Sequence, residues 1–249
     1  MELFLSSFAI SLFAIFITSI SGGGNNLVLF PLLLGISPSN YISTFTVAKV
    51  AAAVHSVTSS KIHLKHNTFH KKLLIILIAT AILGTSIGTF ILENFNNERI
   101  FKLILSFILA VSAIYIAVGV PKAETHKKIN TTELIVAGIF SILINILNGI
   151  FGGTGIFLTA FLIIYLQIEF KKALAITAIS YLLVNILQAG YLMLTNIFDP
   201  ILLGGSILGS IAGSLLGTNF IYLKSNQLLK YLSPIMMTVI AIVMFIQNY

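Results

Sequence analysis

The sequence contains no cysteine and no tryptophan, and only 8% of its 249 residues are charged. Without cysteine, the chain cannot form disulfides, thiolate metal sites or a cysteine-dependent sulfur relay. An ordinary soluble domain has roughly 25% charged residues. Because 57% of the residues are hydrophobic, no soluble fold could bury so much apolar surface. Composition therefore predicts a membrane protein.

Apolar segments alternate with short charged islands, and most are about twenty residues long, the length at which a helix crosses roughly 30 Å of hydrocarbon. We therefore expect an all-α polytopic protein of the plasma membrane. The N-terminal stretch has no basic start and no small-residue cleavage site, so we expect it to remain as a helix. The segments are 3–21, 27–36, 40–62, 72–92, 100–120, 132–150, 156–168, 171–195, 200–221 and 229–247.

The net charge of +7 would also suit a nucleic-acid partner. The lysines, however, stand at the ends of apolar segments and not along one face. This distribution is typical of membrane topology, in which cytoplasmic loops carry an excess of Lys and Arg. We therefore expect the lipid bilayer as the partner, and no nucleic acid.

Two apolar segments, 27–36 and 156–168, are too short to cross a bilayer, and each follows a cluster of helix-breaking residues. The first cluster consists of Gly22, Gly23, Gly24, Asn25 and Asn26, and the second of Gly152, Gly153, Thr154 and Gly155. Each half of the chain is thus predicted to hold one broken helix followed by three long helices.

The two halves match in order, which indicates an internal duplication of the kind that many transporters share. The glycine pair Gly84/Gly88 corresponds to Gly209/Gly213, and the offset between copies is about 125 to 131 residues. The predicted units are an N-terminal membrane repeat at 1–120, a cytoplasmic linker at 121–131 and a C-terminal membrane repeat at 132–249.

The distribution of lysines predicts how the copies are oriented. If each broken helix forms a re-entrant hairpin, eleven of the 14 Lys and Arg residues lie on one side; if each broken segment crosses instead, the split is seven to six. The positive-inside rule favours the hairpins. We therefore predict six full spans, two hairpins, inverted repeats and both termini outside.

A helix broken at bilayer depth exposes backbone groups that lipid cannot satisfy, so the two breaks are expected to face each other across one cavity. Short helices that begin there would direct free N–H groups at the midplane, where an anion could bind. The alternative is that the glycines merely allow close helix packing.

Lys49 is the one charged residue deep inside a long apolar segment, and its insertion costs about 2.5 to 3.5 kcal/mol. A bound anion or a water-filled path would offset that cost, and a snorkelling or structural role is the alternative. Stripes of small and polar residues at helical spacing run through 46–60 and 177–188. The candidate substrate-binding residues are Gly22, Gly23, Gly24, Asn25, Asn26, Thr46, Lys49, Asn148, Gly152, Gly153, Thr154, Gly155, Thr177, Ser180, Tyr181 and Asn185.

His55 lies off the stripe of Lys49, and two roles stay open for it: proton relay and hydrogen-bonded packing. We interpret His63, His66 and His70 as parts of a solvated cytoplasmic loop and not as a metal site. No cofactor and no metal ion is expected.

These features together resemble the sulfite exporter TauE/SafE family of membrane permeases over essentially the whole chain. The second copy departs from the first, since Ala160 stands where the first copy has Pro31. The resemblance implies transport of a small anion such as sulfite, a sulfonate or sulfoacetate, with protons as the candidate coupling ion. It rests on Gly22–Gly24, Phe30-Pro31, Gly35-Ile36-Ser37-Pro38 and the two later glycine pairs.

A secondary transporter for a small anion is the function that these observations favour, and the chain is not expected to be an enzyme. An anion channel or a scaffold without transport stays open. An intramembrane enzyme has less support, because no acidic pair, HExxH or GxSG motif lies within a span. The residues predict neither the direction of transport nor the oligomeric state.

Overall fold

A computed structural model describes residues 1–94 and 129–224 of the chain. In these residues the backbone forms eight α-helices and no strand. The helices are α1 (Glu2–Ser21), α2 (Asn25–Leu34), α3 (Tyr41–His66), α4 (Lys71–Glu93), α5 (Thr131–Phe151), α6 (Gly155–Ile164), α7 (Phe170–Thr195) and α8 (Pro200–Leu223). The all-α prediction is confirmed, whereas segments 100–120 and 229–247 and most of the predicted linker lie outside the described residues.

Five of these helices are long and apolar enough to cross a membrane: α1, α4, α5, α7 and α8. Large apolar side chains such as Ile75, Phe90 and Leu208 are exposed on the outer surface, where hydrocarbon can cover them. α3 has 26 residues but is not among the five, because its many polar residues lower its mean hydropathy. The chain is therefore a polytopic helical membrane protein.

Local sequence explains where the helices begin. The Asn40 side chain accepts a hydrogen bond from the Ser43 backbone N–H at 2.9 Å and caps α3. Asn130 and Glu133 form a reciprocal capping box at the start of α5, so that two of the free N–H groups of that terminus are satisfied. The Asp199 carboxylate caps α8, whose first residue is Pro200.

Glycines let α1 pack directly against α8 and α4 against α5. Gly205 lies against the Phe4 backbone and Gly217 against that of Phe16, so α1 and α8 run in the same direction. In the second pair, Gly84 lies against Ile142 and Gly88 against Ile146, and these helices are parallel too. The small-residue spacing predicted to allow close packing does so in both pairs.

α3 lies at the centre and fixes the direction of the remaining helices. It is antiparallel to α7, because Ser56 contacts Asn185 while Ser60 contacts the earlier residue Ala178. It is parallel to α8, since His55 and His63 of α3 contact Ser214 and Tyr222 in the same order.

α4 is parallel to α7, since Thr89 and Glu93 contact Gln188 and Tyr191 in the same order. Two groups of helices follow: α1, α3 and α8 run one way, and α4, α5 and α7 run the other way. α1 and α3 therefore begin at the same face of the molecule, and α5 and α7 begin together at the opposite face. The face at which α4, α5 and α7 begin carries Lys65, Lys71, Lys171 and Lys224, and we call it the lysine-rich face.

The contact between α1 and α8 can be tested with a pair of glycine variants. A methyl group at Gly209 would overlap the Phe8 carbonyl oxygen, whereas a methyl group at Gly190 would meet no atom within 4 Å. We expect Gly209→Ala to lower the free energy of unfolding in mixed micelles by about 1 to 3 kcal/mol. Gly190→Ala should leave it unchanged or raise it slightly, because alanine is the better helix former. Equal effects of the two variants would contradict this packing.

Candidate functional site: two helix breaks around one cavity

The first helix break lies between α1 and α2 and consists of three consecutive glycines. Gly22, Gly23 and Gly24 have φ angles of 102°, 112° and 90°. Only glycine adopts this left-handed backbone readily, since a Cβ atom costs roughly 1 to 2 kcal/mol there. The glycine cluster recognised in the sequence is thus a conformational requirement of the break.

The second break lies between α5 and α6. Gly152 and Gly153 also have positive φ angles, of 73° and 72°. Thr154 closes the turn, because its Oγ1 donates a hydrogen bond to the Ile144 carbonyl of α5 at 2.9 Å. Both predicted breaks are therefore present at the predicted positions.

The two breaks are in direct contact. Thr159 of α6 donates from Oγ1 to the Gly22 carbonyl oxygen at 2.7 Å. A methyl group added at Gly23 would stand 3.1 Å from the Gly155 backbone, and one at Gly153 would stand 2.6 Å from the Leu27 nitrogen. The backbones therefore meet at a distance that only glycine allows, and the expectation that the breaks face each other is confirmed.

Lys49 of α3 reaches the end of α5 that borders the second break. Its side chain is 1% exposed, and its Nζ donates to the Asn148 carbonyl oxygen at 3.2 Å. Nζ also lies 5.5 Å from the centroid of the Phe45 ring. A cation at the C-terminal end of a helix is favourable, because the carbonyl groups there carry partial negative charge.

The breaks and Lys49 line one cavity of about 50 Å³. At about 10 to 15 Å³ for each water molecule, this is room for three to five waters. The predicted site residues that line it are Gly22, Gly23, Gly24, Asn25, Asn26, Lys49, Asn148, Gly153, Gly155, Thr177, Tyr181 and Asn185.

The helix ends make the cavity electropositive. The first intrahelical bond of α2 runs from the Val28 N–H to the Gly24 carbonyl, so the N–H groups of the preceding turn have no intrahelical acceptor. α6 begins at Gly155 on the other side of the same cavity. No Asp or Glu among the described residues lines the cavity, so Lys49 and the two helix N-termini dominate its charge.

Several polar side chains at the cavity have no protein partner within the described part of the chain. They include the Oδ1 atom of Asn25, both amide atoms of Asn26, the Nδ1 atom of His55 and the Oγ1 atom of Thr218. Asn26 is 1% exposed and His55 is 6% exposed. Buried polar atoms normally have a hydrogen-bond partner, so these atoms are available to water or a ligand.

Four of the predicted residues do not line the cavity. Thr46 and Ser180 instead donate to carbonyl groups one turn earlier, those of Ile42 and Ile176. Gly152 packs against the Asn26 side chain, and Thr154 holds the turn at Ile144 as described above. Serine and threonine in helices often bond in this way, and spacing alone does not distinguish such residues from ligands.

Thr18, Ser19 and Thr218 line the cavity although the sequence did not single them out. A signal for Thr218 exists, because Ser206, Ser210, Ser214 and Thr218 recur every four residues along α8. Thr18 and Ser19 stand in the last turn before the first break. Both signals are weak, since small polar residues also serve close helix packing.

The prediction that His63 belongs to a solvated loop is wrong. α3 continues to His66, and His63 is buried and lines the cavity. The basic residues next to His63 in the sequence suggested a solvated loop. On a helix, however, neighbouring residues point in different directions, so His63 can be buried while they are exposed. Within residues 1–94 and 129–224, no three His, Asp or Glu side chains form a group that could hold a metal ion.

A second polar cluster lies on the side of the site that is away from the lysine-rich face. The Gln188 amide nitrogen donates to Thr89 Oγ1 at 2.8 Å and to the Gly149 carbonyl oxygen at 2.9 Å. Gln188 was predicted on the second polar stripe, but its amide is engaged here. The helices α4, α5 and α7 are thereby joined next to the second break.

Two broken helices that meet around a buried lysine define a polytopic membrane protein with an internal polar site, an arrangement found in transporters. The family model described as "Sulfite exporter TauE/SafE" matches residues 7–244. The chain therefore belongs to the sulfite exporter TauE/SafE family of membrane transporters, as its motifs suggested. Searches of curated proteins and of solved structures return no match.

The contact between the breaks can be tested at Gly23. Gly23→Ala would place a methyl group in a left-handed conformation and 3.1 Å from the Gly155 backbone. We expect a loss of roughly 1 to 3 kcal/mol in the free energy of unfolding. Gly35→Ala is the matched control, because Gly35 has a right-handed φ of −67° and its nearest contact would be 3.5 Å away. A Gly23→Ala protein as stable as the control would contradict the described break.

Proposed function

We propose that this protein is a secondary transporter that moves a small sulfur-containing or organic anion across the plasma membrane. The anion binds near the midplane, between the two glycine-broken helices, with Lys49 as its cationic partner. The observation that carries the proposal is the convergence of two helix N-termini and one buried lysine on a single cavity.

The chemistry of the cavity suits a compact anion. Lys49 has three N–H donors, and the Asn148 carbonyl accepts one of them. The others, together with the free N–H groups at the start of α2 and α6, can donate to anionic oxygens. Room for three to five waters corresponds to an anion of a few heavy atoms, such as sulfite, and long-chain substrates would not fit.

Inverted repeats are part of the proposal and provide a route to alternating access. α1 and α3 run opposite to α5 and α7, the helices that correspond to them in the second half. In the same correspondence α1 matches α5 and α8 matches α4, so the close pair α1–α8 matches the close pair α4–α5. Opposed copies that meet at one site can expose it to each face in turn. The α1 arm is long for a hairpin, since its 20 residues could cross a membrane alone.

An anion channel is the second candidate function. The narrow cavity and the hydrogen bonds of Gln188 on one side favour a transporter, because a channel needs a path that is open to both faces at once. Transport that saturates with anion concentration would support the transporter, and linear flux without saturation would support the channel.

The proposed function can be tested with purified protein in proteoliposomes. We expect saturable uptake of at least one of sulfite, sulfate, thiosulfate, sulfoacetate and simple carboxylates. Lys49→Gln should lower kcat/KM by about ten- to a hundredfold, which corresponds to the loss of one charged hydrogen bond worth roughly 1.5 to 3 kcal/mol. Lys49→Arg should retain part of the activity because it keeps the charge.

The matched control is Lys65→Gln, which removes an exposed lysine from the same helix. Its uptake should equal that of the unchanged protein. Full activity of Lys49→Gln would exclude Lys49 as the anion partner. If none of these anions is taken up, the proposed function is wrong.

The orientation of the helices can be tested by cysteine labelling, because the chain has no cysteine of its own. We propose that the lysine-rich face is cytoplasmic, with the N-terminus outside. In intact cells, an impermeant thiol reagent should label Gly35→Cys and Ile197→Cys. Thr68→Cys and Tyr165→Cys should react only after the membrane is opened. Labelling of only one of Gly35→Cys and Ile197→Cys in intact cells would contradict the inverted hairpins, because broken segments that crossed fully would place these two positions on opposite sides.

A further inference from the structure

The cavity extends along α3 from Lys49 toward the lysine-rich face and contains two histidines. His55 and His63 both line it and are both buried. Histidine is the side chain whose charge normally changes near neutral pH. Since no Asp or Glu among the described residues lines the cavity, these two imidazoles are its natural proton carriers.

At the lysine-rich end, His63 is held by Tyr222 of α8. The Asn67 amide nitrogen donates to the Tyr222 hydroxyl oxygen at 2.6 Å and to the His63 carbonyl oxygen at 3.1 Å. The Tyr222 hydroxyl can then donate its own proton to His63 Nδ1, 2.6 Å away. In the tautomer that carries its proton on Nε2, His63 Nδ1 is the acceptor of this bond. Tyr222 itself is half-buried and stacks on the exposed His66 ring.

His55 stands deeper in the same cavity, eight residues before His63 and about 12 Å from it along the helix axis. Its backbone carbonyl accepts a hydrogen bond from Ser214, while its Nδ1 has no partner among the described residues. Water has to carry a proton across this gap, because hydrogen-bonded oxygens stand only about 2.8 Å apart.

We infer that His55 and His63 form a proton path that leads from the lysine-rich face to the anion site at Lys49. A proton from external water binds the Tyr222 oxygen, and Tyr222 passes its hydroxyl proton to His63 Nδ1. The His63 ring then releases its Nε2 proton to water in the cavity. His55 accepts a proton from this water on Nδ1, beside the anion site. For each proton that reaches His55, one proton enters the path at Tyr222.

The other titratable groups around the path are all cationic or phenolic. Lys49 of the same helix and Tyr181 of α7 line the same cavity. His66 follows His63 on α3, and Lys171 of α7 holds its Nζ 6.0 Å from the Tyr222 ring centroid. A lone proton on the path is therefore unfavourable, and a bound anion offsets its charge. This inference rests on the proposed function, since it links proton entry to the anion.

The proton path can be tested in proteoliposomes loaded with a pH-sensitive dye, with the anion from the uptake screen above that the unchanged protein takes up fastest. Protons moved per anion should fall at least about fivefold in His63→Gln and in His55→Gln. Tyr222→Phe should cause a similar fall, because the ring stays but the donor is lost. His70→Asn is the matched control: it removes an exposed histidine but can still cap α4, so its ratio should not change. An unchanged ratio in His63→Gln would overturn the inference, whereas no uptake of any screened anion by the unchanged protein would count against the proposed function.

A second measurement does not depend on transport. His63→Cys and His55→Cys should react with Ag⁺, a thiol-reactive ion small enough to occupy the place of a water molecule, added at the lysine-rich face, because both positions line the cavity. Ala51→Cys is the control, since Ala51 is buried on the same helix and does not line the cavity. If both histidine positions are as unreactive as Ala51→Cys in folded protein, no path reaches the site from this face and the inference is wrong.

Discussion

The rest of the structure depends on how the backbone groups at two helix breaks find partners inside a membrane. Lipid offers no hydrogen bonds, so an exposed break would leave N–H and C=O groups unsatisfied at a cost of several kcal/mol each. Here the breaks contact each other: Thr159 donates to Gly22, and Lys49 donates to Asn148 at the end of α5. The five left-handed glycines, the close pairs α1–α8 and α4–α5 and the central position of α3 all serve to bring these breaks together.

The same constraint leads from packing to chemistry. A break satisfies the carbonyl groups of the helix that ends, but it leaves free N–H groups on the helix that begins. Two such N-termini around one cavity concentrate donors, and Lys49 adds a full positive charge. Lys49 has a structural role, because one N–H contacts the Asn148 carbonyl oxygen at the second break, and on our proposal its other N–H groups bind the anion. On our proposal, the anion binds to N–H donors that have no acceptor within the fold.

Much of this arrangement was predictable, because glycine clusters, charge islands and length have direct physical meaning in a bilayer. The breaks, the meeting of the two halves and the position of Lys49 at the cavity follow from such signals. Other features depend on three-dimensional contacts. Thr46 and Ser180 have the helical spacing of cavity-lining residues but bond to their own helix. His63 is buried because α3 continues beyond residue 62, where the apolar segment ends. Thr18 and Thr218 resemble ordinary packing residues until the helices are assembled.

The central claim is that one anion binds where the two breaks meet beside Lys49. Selenite has the shape and charge of sulfite and scatters X-rays anomalously at the selenium edge. Diffraction from crystals of the protein soaked with selenite would therefore locate the anion directly. We predict a selenium peak within hydrogen-bonding reach of Lys49 Nζ and of the N-termini of α2 and α6, and its loss in Lys49→Gln. A peak elsewhere in the protein, or an unchanged peak in Lys49→Gln, would contradict the account.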